Sequence, residues 1–557
     1  VDTQREGKTT LSNGFRQLIL LELLVPSVLL VFGIYHGFIQ TLYRAGIIRA
    51  ESFLGIEYYQ GLTIHGVVNA LVYTTFFAVA FGNALVARFL EREPRAAPAW
   101  ISALTMAIGT ALAAFAMFSG KASVLYTFYP PLQAHPTFYI GAALLVVGSW
   151  ISFFSWIPAY RAWRSEHAGQ KTPLAIVGIF ATFIVWLIAT LPLAYEVLVL
   201  LIPWSLGWVR EINVPLARTL FWFFGHPLVY FWLLPAYVMY YVMLPRIAGG
   251  KLYSDFAGRL VFMLFIVLSA PVGLHHQFGD PGISVSWKWL HTILTFGVAL
   301  PSLLTAFTVA ASLEYASRQK GGRGLFAWWG RLPYWDRDRW LFGYLFVGLV
   351  LFVFGGITGL INASFGINNV VHNTSWLPGH FHMTVGGPTF LAFIGMTLYL
   401  VSKLTGKPVR LRSLTVAVPY LWLAGIVLFS TALSLNGIDG EPRRTNLGLT
   451  YTNPGSDLFV AEWVPLARLT AVGGAVMTLS MVAYFGVLFT TLLSRRTAEP
   501  VLDFPEAEPY HDEDPRFVRD FTPWVIVAVL LCLLAYAPTL YEVSQSTFFG
   551  SPGYDPD

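Results

Sequence analysis

Long apolar runs separated by short, mostly basic loops dominate this chain. With about 20 apolar residues needed to cross a bilayer, the pattern predicts roughly thirteen helices. They centre over 16–42, 58–89, 98–118, 136–160, 173–203, 215–245, 256–278, 285–315, 339–366, 374–404, 413–437, 463–494 and 523–545. The expected fold class is therefore all-α, a polytopic membrane helical bundle, with residues 1–557 forming one domain and no internal repeat. Two hydrophilic stretches, 316–338 and 495–522, read as connectors. The second, with EPVLDFPEAEPYHDEDP, reads as a flexible surface loop. The first apolar run is long enough to span and has no small-residue cleavage site behind it, so no removed signal peptide is expected.

The basic residues alternate with the spans. Arg5, Lys8 and Arg16 precede or open the first helix, and Arg88, Arg92 and Arg95 follow the second. Arg161, Arg164 and Lys171 follow the fourth, and Arg246 and Lys251 the sixth. Arg318, Lys320, Arg323, Arg331, Arg337 and Arg339 follow the eighth. Lys403, Lys407, Arg410 and Arg412 come after the tenth, and Arg495 and Arg496 after the twelfth. Odd-numbered loops carry few, and the tail ends SPGYDPD. Cytoplasmic loops hold the excess of Lys and Arg, so the N-terminus is expected inside and the C-terminus outside.

Composition agrees. The 557 residues are 56% hydrophobic and only 12% charged, against about 25% charged in soluble domains. The single cysteine, Cys532, excludes disulfide frameworks, thiolate metal sites and iron–sulfur clusters. The net charge of +5 resides in loops between spans and gives no nucleic-acid signal.

Six histidines occupy apolar segments, and this placement carries the chemistry. They are His65 in TIHGVVNA, His226 in GHPLVY, His275 and His276 in GLHHQF, and His380 and His382 in PGHFHM. Ionisable groups at bilayer depth are costly and usually functional, and imidazole is the commonest ligand for redox metals. The predicted topology places all six in the outer half of the bilayer. His380 and His382 diverge by about 200° on a helix and point to opposite faces, so one segment can serve two cofactors. A bis-histidine haem needs one more imidazole, and His65 lies at matching depth. Singly, each of these histidines reads equally well as a packed core residue; the shared depth is what favours ligation.

His226, His275 and His276 form a three-imidazole set. Adjacent histidines can share one metal only where the helix ends or distorts, and Pro271, Gly273 and Gly279 flank them. Copper suits three neutral nitrogens with an open position; zinc, or non-haem iron with an added carboxylate, are alternatives. Tyr230 lies one turn after His226 on the same face and brings a phenol beside that metal. Packing is the ordinary role of such a pair where no metal-type histidines are near. The intramembrane acids Glu22 and Glu196, and Glu314, carry no assigned role.

WFFGHPLVYFWLLPAYVMYY, APVGLHHQF and VVHNTSWLPGHFHM, in this order, resemble the signatures of catalytic subunit I of the haem–copper oxygen reductase superfamily. The resemblance covers nearly the whole helical chain. It implies a twelve-helix core, with His65 and His382 on a low-spin haem and His380 on a high-spin haem. It also implies copper on His226, His275 and His276, and Tyr230 covalently joined to His226. A-type members carry Glu where this chain has Leu228, and C-type members place the tyrosine on another helix. The chain thus resembles the B-type, ba-like enzymes, which also have an extra C-terminal helix.

The resemblance implies a cytochrome c oxidase that reduces dioxygen to water with proton uptake and pumping, using haem b, an a-type haem and one copper. Partners implied are a copper-bearing subunit II, a small accessory subunit and a c-type cytochrome, in a bacterial or archaeal plasma membrane. One proton path is implied through Tyr237, Tyr241, Ser302, Thr305 and Thr308, the last three spaced along one helix. His372, Asn368, Arg443 and Arg444 are expected at haem propionates, as strong directional donors. Asn368 stands where a relative of this type carries Asp. Two other classes fit parts of the pattern. A nitric oxide reductase would place a carboxylate beside non-haem iron, where this chain has Tyr230. A secondary transporter explains the hydropathy but not six histidines at one depth.

Overall fold

The computed structural model describes residues 9–48, 55–545 and 550–554. Arg5 and Lys8, and the last three residues of the tail, lie outside the described residues. Twelve helices among the described residues are long and apolar enough to cross a membrane. They are α1 (Asn13–Arg44), α2 (Tyr58–Phe89), α3 (Ala96–Phe118), α4 (Pro136–Glu166), α5 (Leu174–Ser205) and α6 (Val214–Val242), then α8 (Val285–Gln319) and α9 (Leu341–Ala363). The others are α10 (Trp376–Thr405), α11 (Arg412–Ile438), α12 (Ala461–Leu493) and α13 (Thr522–Ser544). The remaining crossing expected from the sequence, 256–278, is divided. Helix α7 covers Asp255–Leu268, and the chain then turns into a 3₁₀ segment, Gly273–Gln277.

Local chemistry sets these boundaries. Ser12, Asn213 and Ser254 accept backbone N–H bonds at the starts of α1, α6 and α7, each satisfying one donor left open in a first helical turn. Helix α7 stops short of Pro271, whose ring and missing N–H oppose continuation. Gly273 then passes close to α6: a Cβ there would lie 2.1 Å from the Trp222 carbonyl oxygen. Its N–H donates to the Tyr536 hydroxyl at 2.7 Å. Only glycine fits this close approach, which puts His275 and His276 against α6.

Two helices change winding beside candidate ligands. In α2 a π-helical stretch, Val67–Tyr73, begins two residues after His65, and in α10 another, His382–Thr389, begins at His382. Pro388 lies inside the second and cannot donate to the helical ladder. Such bulges recur at functional sites, because they re-aim side chains without ending the helix.

Enclosure is uneven. Helices α2, α6 and α10 are the most enclosed of the spans, and α8 and α13 the least. The three most enclosed helices carry His65, His226, His380 and His382. Around the outside, residues such as Phe307 on α8 and Leu530 and Leu533 on α13 present apolar surface, as lipid-facing helices do.

The stretch 495–522, expected as a flexible loop, is an ordered strap. Leu502 pairs with Thr9, and β2 (Pro509–His511) pairs in parallel with β1 (Leu252–Ser254). Phe504 packs on Phe81 and Phe89, the Ala507 N–H donates to the Val242 carbonyl at 2.7 Å, and Lys403 holds Asp503 at 2.9 Å. Its polar composition concealed these anchors, which all lie on distant parts of the chain.

Candidate functional site

A cavity of about 590 Å³ runs through the middle of the bundle, and His65, His226, His275, His276, His380 and His382 all line it; His36 on α1 and His291 on α8 are also buried within spans but do not. Its walls are otherwise mostly apolar, with Arg443, Arg444, Asn368 and His372 at one end and Ser302 in the wall below Tyr230.

His65 and His382 face one another across the cavity. Their ring centroids are 6.0 Å apart and their planes differ by only 10°. His65 Nδ1 lies 2.8 Å from the Gly33 carbonyl oxygen, and His382 Nδ1 lies 2.7 Å from that of Pro378. A carbonyl oxygen only accepts, so both rings carry their proton on Nδ1 and keep the Nε2 lone pair free. This is the arrangement of metal-binding imidazoles, whose second nitrogen is held by a backbone or carboxylate acceptor.

His380 points the other way, towards α9. Its Nδ1 lies 2.8 Å from Thr358 Oγ1, and that hydroxyl spends its own proton on the Gly355 carbonyl at 2.8 Å. The Thr358 oxygen therefore accepts from His380, whose Nε2 is again free. Two histidines on one helix thus serve opposite sides of it, as their spacing predicts.

The third grouping brings His226, His275 and His276 together with ligand atoms within 4.8 Å of one another. His226 Nδ1 and His276 Nε2 are 3.1 Å apart. Two imidazole nitrogens this close share either a proton or a cation. His275 Nδ1 lies 3.0 Å from Thr295 Oγ1, which itself donates to the His291 carbonyl at 2.5 Å. Nε2 of His275 is accordingly the free ligand atom, and His276 stacks on Trp222 at 4.0 Å. No thiolate or carboxylate joins the set among the described residues. Such an all-imidazole donor set suits copper, and also zinc. The Tyr230 hydroxyl lies 3.2 Å from His226 Nε2, on the far side of the ring from the nitrogen that meets His276.

Below Tyr230 the expected hydroxyl residues sit on two facing helices. The Tyr241 hydroxyl donates to Thr305 Oγ1 at 3.0 Å. Tyr237 is buried and its hydroxyl faces Ser302 without a well-formed bond. The side chains of Ser302, Thr305 and Thr308 donate to carbonyls one turn back on α8. Ser312 continues the row: it donates to the Thr308 carbonyl at 2.8 Å and accepts from the Tyr253 N–H at 2.9 Å. Sequence spacing stopped at Thr308, although Ser312 is four residues on and fully buried.

At the other end, Arg443 donates to Asn373 at 2.9 Å and Arg444 to the Tyr129 hydroxyl. Asn368 accepts from His372 Nδ1 at 3.0 Å and donates to the Asn362 carbonyl at 2.7 Å. Nε of Arg443 and Nη2 of Arg444 are buried without partners. Unpaired buried guanidinium donors are costly, so this end of the cavity is built for an anionic group. Burial and the neighbouring Arg444 bring the Arg443 guanidinium down to about 9. Burial, with Arg443 close by, holds the His372 imidazole down at about 4. Burial pushes the Tyr129 phenol up, but Arg444, Arg218 and Arg443 outweigh it and bring it down to about 8.

Three members of this region escaped sequence reasoning. Arg218 pairs with Asp280 at 2.9 Å and lies over the Tyr129 ring, and Lys288 holds the Phe278 and Asp280 carbonyls at 2.8 Å each. The available signal was a lone Arg and a lone Lys just inside the starts of apolar helices, where an unpaired charge is expensive.

The chain matches the family model for cytochrome c and quinol oxidase polypeptide I over residues 17–476. Cytochrome c oxidase subunit 1 of Thermus thermophilus is 43% identical over 496 residues, 87% of this chain and 86% of that protein. Cytochrome c oxidase polypeptide 1 of Halobacterium salinarum is 26% identical over 497 residues, covering 85% and 76% respectively. A cryo-EM structure of a heme-copper terminal oxidase dimer matches with a TM-score of 0.96 at 53% identity, over 98% of this chain and 96% of that one. With six histidines, a tyrosine and one cavity arranged as above, the chain belongs to the cytochrome c and quinol oxidase polypeptide I family, subunit 1 of the haem–copper oxidases.

Proposed function

We propose that this subunit reduces dioxygen to water with His65 and His382 on the iron of a low-spin haem and His380 on that of a high-spin haem. His226, His275 and His276 hold one copper. The observation that carries this assignment is the single cavity lined by a parallel histidine pair, a histidine trio and His380 between them. As a terminal oxidase of the haem–copper type, the protein works in a membrane, with haems and copper and with other subunits. The bound metals supply electron relay and oxygen binding. Everything else in the reaction falls to the chain.

The fixed Nδ1 protons orient His65, His382, His380 and His275 before any metal arrives, so their lone pairs are set without reorganisation. Tyr230, 3.2 Å from His226, supplies a proton and an electron to the oxygen site, and its covalent joining to His226 fixes it there. Protons reach Tyr230 from the basic-loop side through Tyr237, Tyr241, Ser302, Thr305 and Thr308. Arg443, Arg444, His372 and Asn368 hold the haem propionates: the arginines donate charge-assisted bonds, and His372 enters neutral. Because Asn368 cannot ionise, this position adds no negative charge to the cluster at any pH, where an Asp would.

The basic loops place the N-terminus in the cytoplasm and the C-terminus outside, in a bacterial or archaeal plasma membrane, with residues 1–557 acting as one domain. Leu228 and the position of Tyr230 favour the B-type, with haem b and an a-type haem. A copper-bearing subunit II passes electrons from a c-type cytochrome, and a small accessory subunit completes the complex. A reduced-minus-oxidised spectrum with metal analysis of the purified oxidase tests this reading. Two haem irons and one copper within this subunit are expected; iron without copper, or no haem bands, overturns it.

A further inference from the structure

Residues 321–339, joining α8 to α9, do not hang free in solvent. The Tyr420 hydroxyl donates to the Tyr334 carbonyl at 2.8 Å, and Trp335 packs on the Tyr420 ring at 4.5 Å. Tyr334 also meets Phe346 at 5.1 Å. Tyr420 is eight residues into α11 and Phe346 five into α9, so these contacts lie about 8–12 Å along helices that cross the membrane. The segment therefore folds back against the bundle to the depth where lipid headgroups meet acyl chains.

Its outward surface is suited to that depth. Leu325 and Phe326 are about three-quarters exposed, and Trp329 and Trp335 are more than half exposed. Beside them in sequence, Arg323, Arg331 and Arg337 are exposed and have no ion-pair or hydrogen-bond partner among the described residues. The acids of the segment are already committed: Asp336 to Arg339 at 3.4 Å and to two backbone N–H groups, and Asp338 to Arg412. Three free guanidinium groups therefore remain, interleaved with four large apolar side chains. Aromatic residues favour the headgroup level, and arginine matches the phosphodiester with forked donors. The facing leaflet, on the basic-loop side, is also the one richer in anionic lipid.

We infer that residues 321–339 form an interfacial binding site for an anionic phospholipid. Its phosphate is held by Arg323, Arg331 and Arg337, and its acyl chains lie against Leu325, Phe326, Trp329 and Trp335. The site lies away from the redox cavity and does not depend on the metal assignments.

The test uses the purified, delipidated oxidase complex and native mass spectrometry with added phosphatidylglycerol. Wild type and an R323Q/R331Q/R337Q variant are compared at matched thermal unfolding midpoints. At about fivefold per arginine near an anionic surface, the variant should retain the lipid roughly 100-fold less well. Phosphatidylcholine and inorganic phosphate should not compete at the same concentrations; effective competition by phosphate alone would reduce the site to an anion patch and overturn the proposal. In nanodiscs, a benzophenone side chain at position 335 should yield lipid adducts. Adducts chiefly with another polypeptide would show that this surface meets a subunit instead, and equal lipid retention by the variant would overturn the role of the arginines and with it the proposal.

Discussion

The pair His65–His382 and the trio His226–His275–His276 use the same side chain to opposite ends. The pair stands on two enclosed helices, and both rings are locked by backbone carbonyls 2.7–2.8 Å away. Such anchors come with the helix and cannot be removed by mutation. Its two rings are parallel and oppose one another 6.0 Å apart, an arrangement that would hold a flat group between them. The trio stands partly on a 3₁₀ turn, where regular winding fails, and its ring positions depend on a hydroxyl, an indole and a phenol. No fourth histidine, cysteine or carboxylate joins it among the described residues. A site that only relays electrons profits from symmetry and rigidity; a site that binds substrate needs an incomplete shell beside a proton donor.

Replacing a ligand of the closed pair is the harshest test of this contrast. His65→Ala should abolish the low-spin haem band while carbon monoxide still binds the high-spin haem, read by optical difference spectra. Loss of carbon monoxide binding with an intact low-spin band would show that the two roles are exchanged.

Tyr230→Phe addresses the open site. It keeps the ring and the packing, so both haems and copper should remain, while oxygen consumption falls by about 100- to 10,000-fold, the range of a lost proton donor. Peptide mass spectrometry should find the wild-type peptide that carries both His226 and Tyr230 lighter than its sequence mass by two hydrogen atoms, and the variant peptide at its full sequence mass. Near-normal turnover in a fully loaded variant would reduce Tyr230 to packing.

Thr358→Val asks whether side-chain anchoring matters as much as the geometry implies. It removes the acceptor of the His380 proton while nearly preserving volume. Loss of such a partner should cost roughly 10- to 100-fold in high-spin haem retention or turnover, with the low-spin band unchanged. Equal loss from both haems would mean that the two histidines of α10 are not independently held.

Thr305→Val should have the smallest effect. The variant removes the acceptor of the Tyr241 hydroxyl, one hydrogen bond in the row. Proton uptake in single-turnover experiments should slow by roughly three- to tenfold without change in metal content. Wild-type uptake would remove this row from the proton route.

Much of the site's layout was legible in the sequence because its histidines sit in short motifs. His226 and Tyr230 are one turn apart, His275 and His276 adjacent, and His380 and His382 on opposite faces of one helix, so local geometry already fixed their relations. The broken crossing was legible too, in Pro271 and Gly273, although its helix proved shorter than hydropathy suggested. The supporting shell was not. Thr358 reaches His380 from α9, Thr295 reaches His275 from α8, and Tyr129 receives Arg444 from a loop more than 300 residues away in sequence. Threonine and tyrosine are common in membrane helices and announce nothing alone. The strap failed for a related reason: polarity records exposure to water along the chain but not pairing with a remote edge.

That strap has a consequence for the history of each molecule. Its clasps join Leu502 to Thr9, Asp512 to Lys171, and β2 to β1, spanning separations from about 250 to nearly 500 residues. Contacts of such range form only after the intervening chain exists, and closing them late carries a loop-entropy cost. Synthesis therefore delivers a nearly complete set of helices whose ends on the strap side are still unfastened. The strap is made only after every span but α13, so this face of the protein is among the last to be completed.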